Sequence, residues 1–438
     1  MTYEPPKNIW EVDNQLQFNE ALSDTDERYV QTEGGRGHHN FNALMKTLGI
    51  DPSTLSLRVA SDKKYVLFCG HRGCGKSTEL RRISKRLNKA DAFFVVSLDA
   101  TSEVDINNAS YPDILMALAK GLLERLRVEE IVIEPVFLRN LETWFDESIE
   151  RHQKTKSFAA EVKSGVNVSL SVPFLCDLFT KVTNSFKYNS TYKEELRRVI
   201  KNSFSLFADA FNQLITAAED AVAKAGKGKK ILFVVDGTDR LSGEDSKAFF
   251  VDDVNQLTLI NSNFIYCGPI SLLHEGNQVQ QFFSREILPM IKVSEKDDRA
   301  KRSDAGFAVL REMVYRRADK SLFDSEDTLD YLIGYSGGCH RELLKLLHYT
   351  FLASETESFD RQAAEKAVLS LATDYKRFLE SRDYKILSVI DSTSSYDEDP
   401  QRVLFLLYNL ALLEYNSYWR RSHPVICLLD EYKNAGGC

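Results

Sequence analysis

The sequence predicts an α/β fold, in which a mainly parallel β-sheet is flanked by helices. Uninterrupted apolar runs at residues 65–69, 92–98, 231–235 and 263–267 are typical of strands buried on both faces. Segments with helical spacing separate these runs, and a glycine-rich loop joins the first run to a helix. A fifth strand is predicted over residues 288–293. Because such sheets bind ligands at the carboxyl ends of their strands, we expect the functional residues there.

The glycine-rich loop carries the strongest functional signal. It comprises Gly70, His71, Arg72, Gly73, Cys74, Gly75, Lys76, Ser77 and Thr78, the pattern of a phosphate-binding loop. Glycines lack a Cβ, so the backbone can turn sharply and point its N–H groups at a polyphosphate. Lys76 would then meet the β and γ phosphates, Ser77 would bind Mg²⁺, and Thr78 would bond the α phosphate. The alternative is a glycine turn that arose by chance; we expect the nine residues to bind a nucleotide.

Two carboxylates follow the third predicted strand. Asp236 ends that strand, where a Mg²⁺-holding carboxylate belongs beside Ser77, although an aspartate can also cap a turn there. The nearest further carboxylate is Asp239. We assign it as the general base for an attacking water, with an equal alternative as the structural partner of Arg240. The predicted metal ligands are therefore Ser77 and Asp236.

Arg341 stands in the first turn of a predicted helix that follows a glycine turn. A cation there opposes the helix dipole, so another interaction should compensate, and a γ phosphate would do so. The alternative is a surface arginine paired with Glu342 or Asp330. We assign Arg341 to the catalytic site.

Composition narrows the class of protein. The 438 residues are 43% apolar and 27% charged, as in folded globular proteins, and the net charge of −8 argues against a generally basic nucleic-acid surface. The seven cysteines lack metal-binding spacing and are expected to be reduced thiols. The N-terminus has no secretory pattern, and the longest charge-free apolar run, 403–413, is too short to cross a bilayer. We expect a cytoplasmic protein without a membrane partner.

The order of these patterns predicts six parts. They are an N-terminal segment (1–59), a first core part (60–102), an inserted, mainly helical segment (103–226), a second core part (227–299), a helical lid (300–380) and a winged-helix-like unit (381–438). In the inserted segment, Val166, Val168, Leu170 and Val172 alternate as in a strand, and residues 192–225 resemble one long helix. Because acidic residues outnumber basic ones in the last unit, we favour protein contact there over DNA binding.

Three motifs together resemble those of AAA+ and STAND-like P-loop ATPases, including KAP-type and bacterial antiphage-defence members. They are the loop from Gly70 to Ser77, the box from Asp236 to Arg240, and the glycine turn from Gly337 to Arg341. The resemblance implies ATP, Mg²⁺, self-association and a conformational switch that acts on a separate effector protein.

The resemblance also suggests roles for arginines. Arg341 would be the sensor 2 residue, and Arg285 the arginine projected into a neighbouring subunit. Arg311, Arg316 and Arg317 are rivals of Arg285, and for all four the alternative is a solvated helix face. Two further functions stay open: a DNA-binding ATPase like origin-recognition or transposition regulators, and a small-molecule kinase. The leading prediction is a Mg²⁺-dependent ATPase switch with slow or assembly-dependent turnover.

Overall fold

A five-stranded parallel sheet forms the centre of the molecule. The computed structural model describes residues 3–436 apart from 24, 38, 62, 151–155, 157–159, 161–170 and 189–191. The strands are β1 (Lys64–Gly70), β2 (Phe93–Asp99), β3 (Lys230–Asp236), β4 (Asn263–Pro269) and β5 (Ser284–Leu288). They lie in the order β2-β3-β4-β1-β5, and every neighbouring pair is parallel. The predicted α/β class is confirmed.

Both faces of the sheet are buried, as the continuous apolar runs predict. In β1, Val66 and Phe68 belong to one hydrophobic core, whereas Tyr65 and Leu67 belong to the other. The first core also contains side chains of the N-terminal segment, the lid and the C-terminal residues. The second core contains the helices of the inserted segment. The sheet is therefore the middle of three layers.

The layer of the first core begins with the helix that follows β1 and the phosphate-binding loop, Lys76–Leu87. Short helices of the N-terminal segment and four lid helices join it. They are Ile9–Gln15, Asn42–Thr47, Asp304–Tyr315, Glu326–Tyr335, His340–Ala353 and Arg361–Lys376. The lid helix His340–Ala353 follows Gly337, Gly338 and the N-cap residue Cys339, and its first turn approaches the loop closely.

The opposite layer consists of the inserted helices. They are Tyr111–Val128, Pro135–Phe145, Val172–Lys187, Lys193–Asn202 and Phe204–Lys224. Single-turn helices lie at Ala100–Glu103, Gly243–Lys247, Val254–Leu257 and Asn277–Gln280. Apart from Gly243–Lys247, these elements contribute side chains to the core on the face of the sheet that carries Tyr65 and Leu67.

The structure of the inserted segment differs from two predictions. A single helix over 192–225 is wrong, because Ser203, with φ −108° and ψ 18°, departs from helical geometry and separates two helices. Of the predicted alternating strand, Val166, Val168 and Leu170 lie outside the described residues. Val172 begins a helix instead, and Ser171 caps it by accepting a hydrogen bond from the amide of Phe174.

The fifth strand is shifted from its predicted place. It covers Ser284–Leu288 and ends before Pro289, which has no N–H group to continue the ladder. Met290 and Ile291 are buried, but they lie outside any strand. The apolar run at 288–293 therefore marked burial correctly and strand position wrongly.

The C-terminal unit, residues 381–436, contains two helices followed by a short hairpin. Its elements are the helices Ser381–Thr393 and Pro400–Tyr408, the antiparallel strands β6 (Leu412–Tyr415) and β7 (Trp419–Ser422), and the helix Asp430–Asn434. The predicted order of helix, helix and hairpin is present, while the winged-helix assignment stays a prediction. Among the described helices, none is both long and apolar enough to cross a membrane.

Candidate nucleotide-binding site

The phosphate-binding loop, residues 70–78, connects the end of β1 to the helix Lys76–Leu87. Gly73 and Gly75 have φ angles of 77° and 98°, in the left-handed region that favours glycine. A Cβ on Gly73 would lie 2.6 Å from the Cβ of Arg341, and one on Gly75 would lie 3.1 Å from the ring of His340. Both glycines are therefore required by the turn and by the close approach of the lid helix.

The ammonium group of Lys76 is surrounded by oxygen atoms. Its Nζ donates to the carbonyls of Gly70, at 3.0 Å, and His71, at 2.8 Å, and lies 2.9 Å from Oδ2 of Asp239. The side chain is only 4% exposed. Burial alone would lower the pKa of Lys76, but the Asp239 carboxylate outweighs it and raises the pKa above its ordinary value. Lys76 is thus charged, and it must exchange partners to reach a phosphate.

Ser77 and Asp236 meet at the end of β3. The Ser77 hydroxyl donates to Oδ1 of Asp236 at 3.0 Å, and the amide of Gly237 donates to the same oxygen at 2.8 Å. Burial raises the pKa of Asp236, while the Ser77 hydrogen bond opposes this shift. A hydroxyl and a carboxylate oxygen are the hard ligands that Mg²⁺ prefers, so this pair fits the ion.

Cys267 lies beside these carboxylates at the end of β4. One ligand atom each from Asp236, Asp239 and Cys267 lie within 4.8 Å of one another. A thiol sulfur is a soft ligand that suits Mg²⁺ poorly, so the donor set again singles out the oxygens. The hydroxyl of Thr238 is hydrogen-bonded to the Cys267 carbonyl, which fixes the turn after β3 against β4.

Asp239 has a different partner from the predicted one. It is paired with Lys76, whereas the sequence alternative was Arg240. Burial would raise the pKa of Asp239, but the Lys76 charge outweighs it and lowers the pKa. A carboxylate held in this ion pair is a poor base. Its predicted role in proton transfer therefore requires that Lys76 first move away.

Arg341 lies against the loop. Its backbone amide donates to the carbonyl of Gly73 at 3.4 Å, and its Nε donates to the carbonyl of Phe18 at 3.3 Å. Glu342 and Asp330, the alternative partners, form ion pairs with other basic residues. The position next to the loop is the one that the dipole argument requires, and a contact with a γ phosphate stays a prediction.

The four arginines considered for contact with a neighbouring subunit lie in different surroundings. Arg285 is exposed on β5, where it pairs in register with Leu67 of β1. It does not line the cavity beside the phosphate-binding loop. Arg311 and Arg316 are both in ion pairs with carboxylates. Arg317 lines the same cavity as the phosphate-binding loop of its own chain.

That cavity extends from the loop to the N-terminal segment and the lid. Its lining beyond the loop includes Gln17, Phe18, Asn19, Leu22, Tyr29, Val30, Met313, Arg317, His340, Arg341 and Leu344. The amide of Leu22 donates to the Thr78 hydroxyl at 3.2 Å, which fixes the segment against the loop helix. Sequence reasoning assigned no site residue to the N-terminal segment, since no spacing pattern links residues 17–30 to the loop.

Arg36 is a second feature that the sequence analysis missed. It is 1% exposed, and its guanidinium donates to the carbonyl of Cys74 at 2.7 Å and to the Thr32 hydroxyl at 2.9 Å, and it bonds the carbonyl of Pro289. Burial lowers its pKa. No carboxylate in the described part of the chain lies within 4.0 Å of it. Arg36 therefore ties the N-terminal segment to the loop and adds positive charge behind it.

The side chains of His71 and Arg72 bind the C-terminal unit. The ring of His71 is buried, and burial together with the Lys76 charge lowers its pKa to about 3. Nδ1 of the neutral ring donates to the Leu407 carbonyl at 3.2 Å, and Nε2 accepts from the Glu414 amide at 2.8 Å. Arg72 donates to the Tyr408 hydroxyl at 3.1 Å. For these two predicted nucleotide-binding residues, we therefore expect the backbone amides, and not the side chains, to bind phosphate.

Comparisons with known proteins give no family assignment. No protein-family model matches the sequence, and no curated protein matches it either. Solved structures with a similar arrangement share little sequence with it. The RuvB Holliday junction branch migration motor of Thermotoga maritima is 12% identical, with a TM-score of 0.32, over 86% of this chain and 88% of that one.

Two further structures are similar at the same level. The Walker-type ATPase PABY2304 of Pyrococcus abyssi is 13% identical, with a TM-score of 0.42, over 93% of this chain and 98% of that one. Cdc6p from Pyrobaculum aerophilum is 10% identical, with a TM-score of 0.36, over 97% of both chains. Because these scores are low, the P-loop NTPase fold is assigned from this chain's own sheet, loop and carboxylates.

Proposed function

We propose that the protein is a Mg²⁺-dependent ATPase that hydrolyses ATP to ADP and phosphate. The observation that carries the proposal is the convergence of three groups at the loop. The backbone turn at Gly73 and Gly75, the Lys76 ammonium and the Ser77–Asp236 pair lie together at the carboxyl ends of β1 and β3. They would serve as an amide cradle, a point charge and a pair of Mg²⁺ ligands, the parts that phosphoryl transfer needs.

The chain's own residues would act in sequence. Ser77 and Asp236 would hold Mg²⁺, which neutralises charge on the β and γ phosphates. Lys76 would exchange Asp239 for phosphate oxygens. That exchange frees the Asp239 carboxylate, which could then accept a proton from the attacking water. Arg341, already against Gly73, would reach the γ phosphate from the lid. Because Asp239 is released only after Lys76 moves, slow turnover is expected.

The proposal extends to a switch. The resemblance to AAA+ and STAND-like ATPases supports self-association and control of a separate effector, as in bacterial defence systems. The contacts of His71 and Arg72 with the C-terminal unit support a link between nucleotide state and that unit. Mass in solution with and without ATP tests the self-association directly.

Phosphate release tests the catalytic proposal. With purified protein, ATP and Mg²⁺, free phosphate should appear, and Lys76→Ala should abolish it. Lys89→Ala is the matched control, because Lys89 is exposed just beyond the same helix. Turnover that survives Lys76→Ala, or phosphate found only on a small-molecule acceptor, would reject the ATPase assignment.

A further inference from the structure

Arg317 lies in the wall of the loop cavity, at the end of the lid helix Asp304–Tyr315. The cavity holds both the loop residues Gly75 and Lys76 and this arginine. An arginine that serves a neighbouring subunit should face outward from its own site. Arg317 faces the site of its own chain.

The hydrogen bonds of Arg317 go to neutral carbonyls and not to carboxylates. Nη1 donates to the carbonyl of Met313 at 2.9 Å and to the carbonyl of Arg28 at 3.2 Å. No carboxylate among the described residues lies within 4.0 Å of its guanidinium. Burial, reinforced by the nearby Arg28 charge, lowers the pKa of Arg317 to about 10. Asp26 and Glu20 act on it only from beyond ion-pair distance, so this partly buried cation would gain free energy from an anion in direct contact.

Two other cations that line the cavity, Arg28 and Lys76, already have acidic partners. Arg28 is paired with Asp26 at 2.7 Å and Glu20 at 3.1 Å, and Lys76 is paired with Asp239 at 2.9 Å. Arg317 differs from them because its charge is available without breaking an ion pair. It is therefore suited to a ligand that brings negative charge into the cavity.

His340 lines the same cavity as Arg317 and lies against the loop. The ring of His340 lies against Gly75, where a Cβ would come within 3.1 Å of it. Burial and the charges of Arg36 and Arg317 lower the pKa of His340 well below its ordinary value. His340 thus stays neutral beside Gly75, and it does not compete with Arg317 for a phosphate's charge.

We propose that Arg317 binds nucleotide phosphate in its own subunit, and so makes the site selective for nucleoside di- and triphosphates over nucleosides. This proposal rests on the proposed function, because it places Arg317 in the same site. The sequence left two alternatives for Arg317, a neighbouring subunit's site or a solvated helix face. The proposal places it instead in the site of its own chain.

Arg316 is a matched control for this test. It is the adjacent arginine, pairs with Glu312 at 3.0 Å and does not line the cavity. Arg317→Gln keeps N–H donors for the two carbonyls and removes the charge, so the local hydrogen bonds can persist. Arg317→Ala removes both, and Arg316→Gln removes a charge one residue away.

Titrations of ATP, ADP and adenosine into the four proteins measure the effect. Arg317→Gln and Arg317→Ala should weaken ATP and ADP binding by about tenfold or more, the loss of a charged hydrogen bond. Adenosine binding should change less than about twofold, and Arg316→Gln should match the wild type. Thermal unfolding without nucleotide verifies that each variant is folded. If Arg317→Ala is not folded, the comparison of Arg317→Gln with the wild type is the test.

Three results would overturn the assignment. Unchanged ATP and ADP affinity in Arg317→Gln would remove Arg317 from the site. An equal loss for adenosine would make Arg317 a base or packing contact. The third result is an Arg317 variant that keeps full ATP affinity but loses turnover. If mixing it with a Lys76→Ala protein, which retains Arg317, restores turnover, then Arg317 acts in a neighbour's site. A wild-type protein that binds none of the three ligands would instead reject the proposed function.

Discussion

The backbone amide of Glu414 donates a hydrogen bond to Nε2 of His71, 343 positions away in the chain, at 2.8 Å. His71 belongs to the phosphate-binding loop, and its carbonyl also accepts from Lys76 at 2.8 Å. A single residue therefore connects the lysine of the site to the hairpin of the C-terminal unit. We therefore expect a reorientation of this peptide, when Lys76 changes partners, to move the imidazole ring as well.

Replacing His71 should loosen the C-terminal unit. His71→Phe leaves the Glu414 amide and the Leu407 carbonyl buried without partners, which costs about 1–3 kcal/mol for each group. His71→Gln can replace part of both hydrogen bonds and should cost less. Chemical unfolding gives the stability difference, and amide exchange at Glu414 locates it. Equal stability and equal exchange in His71→Phe and the wild type would contradict the contact.

The protonation of His71 makes a prediction about pH. Its pKa is lowered to about 3 in the folded protein by burial and the Lys76 charge, against an ordinary value of 6.5. Between these values the unfolded chain binds more protons than the folded one. The His71 contribution to stability is therefore complete above about pH 6.5 and is lost as the pH falls toward 3, with a slope of at most about 1.4 kcal/mol per pH unit.

Unfolding free energies of the wild type and His71→Phe at pH 7 and pH 5 measure this term. The wild type should lose more stability on acidification than the variant, because only the wild type gains the His71 proton on unfolding. A steeper loss in the variant would reverse the sign and reject the buried, neutral ring.

The Lys76–Asp239 ion pair predicts that replacing Asp239 destabilises the nucleotide-free protein and that bound ATP offsets this loss. Asp239→Asn leaves the buried Lys76 ammonium without its carboxylate, a loss of about 3 kcal/mol in the nucleotide-free protein. Phosphate oxygens would supply the missing charge, so ATP with Mg²⁺ should raise the melting temperature more in this variant than in the wild type. Turnover should be lost. Glu244→Gln, an exposed change nearby, should behave as the wild type.

Asp239 has an alternative that the same experiment decides. If the variant keeps wild-type turnover, Asp239 is only the resting partner of Lys76, and another group accepts the proton. If its ATP-induced shift in melting temperature is no larger than that of the wild type, Lys76 does not exchange Asp239 for phosphate.

Asp236 should determine how much Mg²⁺ strengthens the binding of ATP. Asp236→Asn keeps the side-chain volume and a hydrogen-bond partner for Ser77 but removes the charge that the ion needs. We expect ATP affinity without Mg²⁺ to stay near that of the wild type, while the gain in affinity on adding Mg²⁺ is lost. A wild-type response to Mg²⁺ in the variant would exclude Asp236 as a ligand.

The sequence predicted those parts of the site that local chemistry determines. The glycine spacing of the loop follows from backbone turns, and Asp236 follows from its place after a buried apolar run. The partners of Asp239 and His71 were not predictable, because Lys76 and Glu414 are brought to them by tertiary packing. Arg36 is similar, since its contacts with Cys74 and Pro289 depend on how the N-terminal segment folds back.

The fold elements likewise divide into those that the local sequence predicts and those that it does not. Buried parallel strands were found from continuous apolar runs, whereas the break at Ser203 and the end of β5 before Pro289 were missed. A helical period continues through a break when the residues on each side are apolar, so periodicity alone does not locate it. Pro289 itself indicates the end of a strand, but the apolar residues around it favour a strand that continues to residue 293.

Calorimetric titration of ATP with Mg²⁺ into the wild type and Lys76→Ala tests the central claim most directly. The account predicts saturable binding near one nucleotide per chain in the wild type, and none in the folded variant. Absence of binding to folded wild-type protein, or equal binding to both proteins, would contradict it.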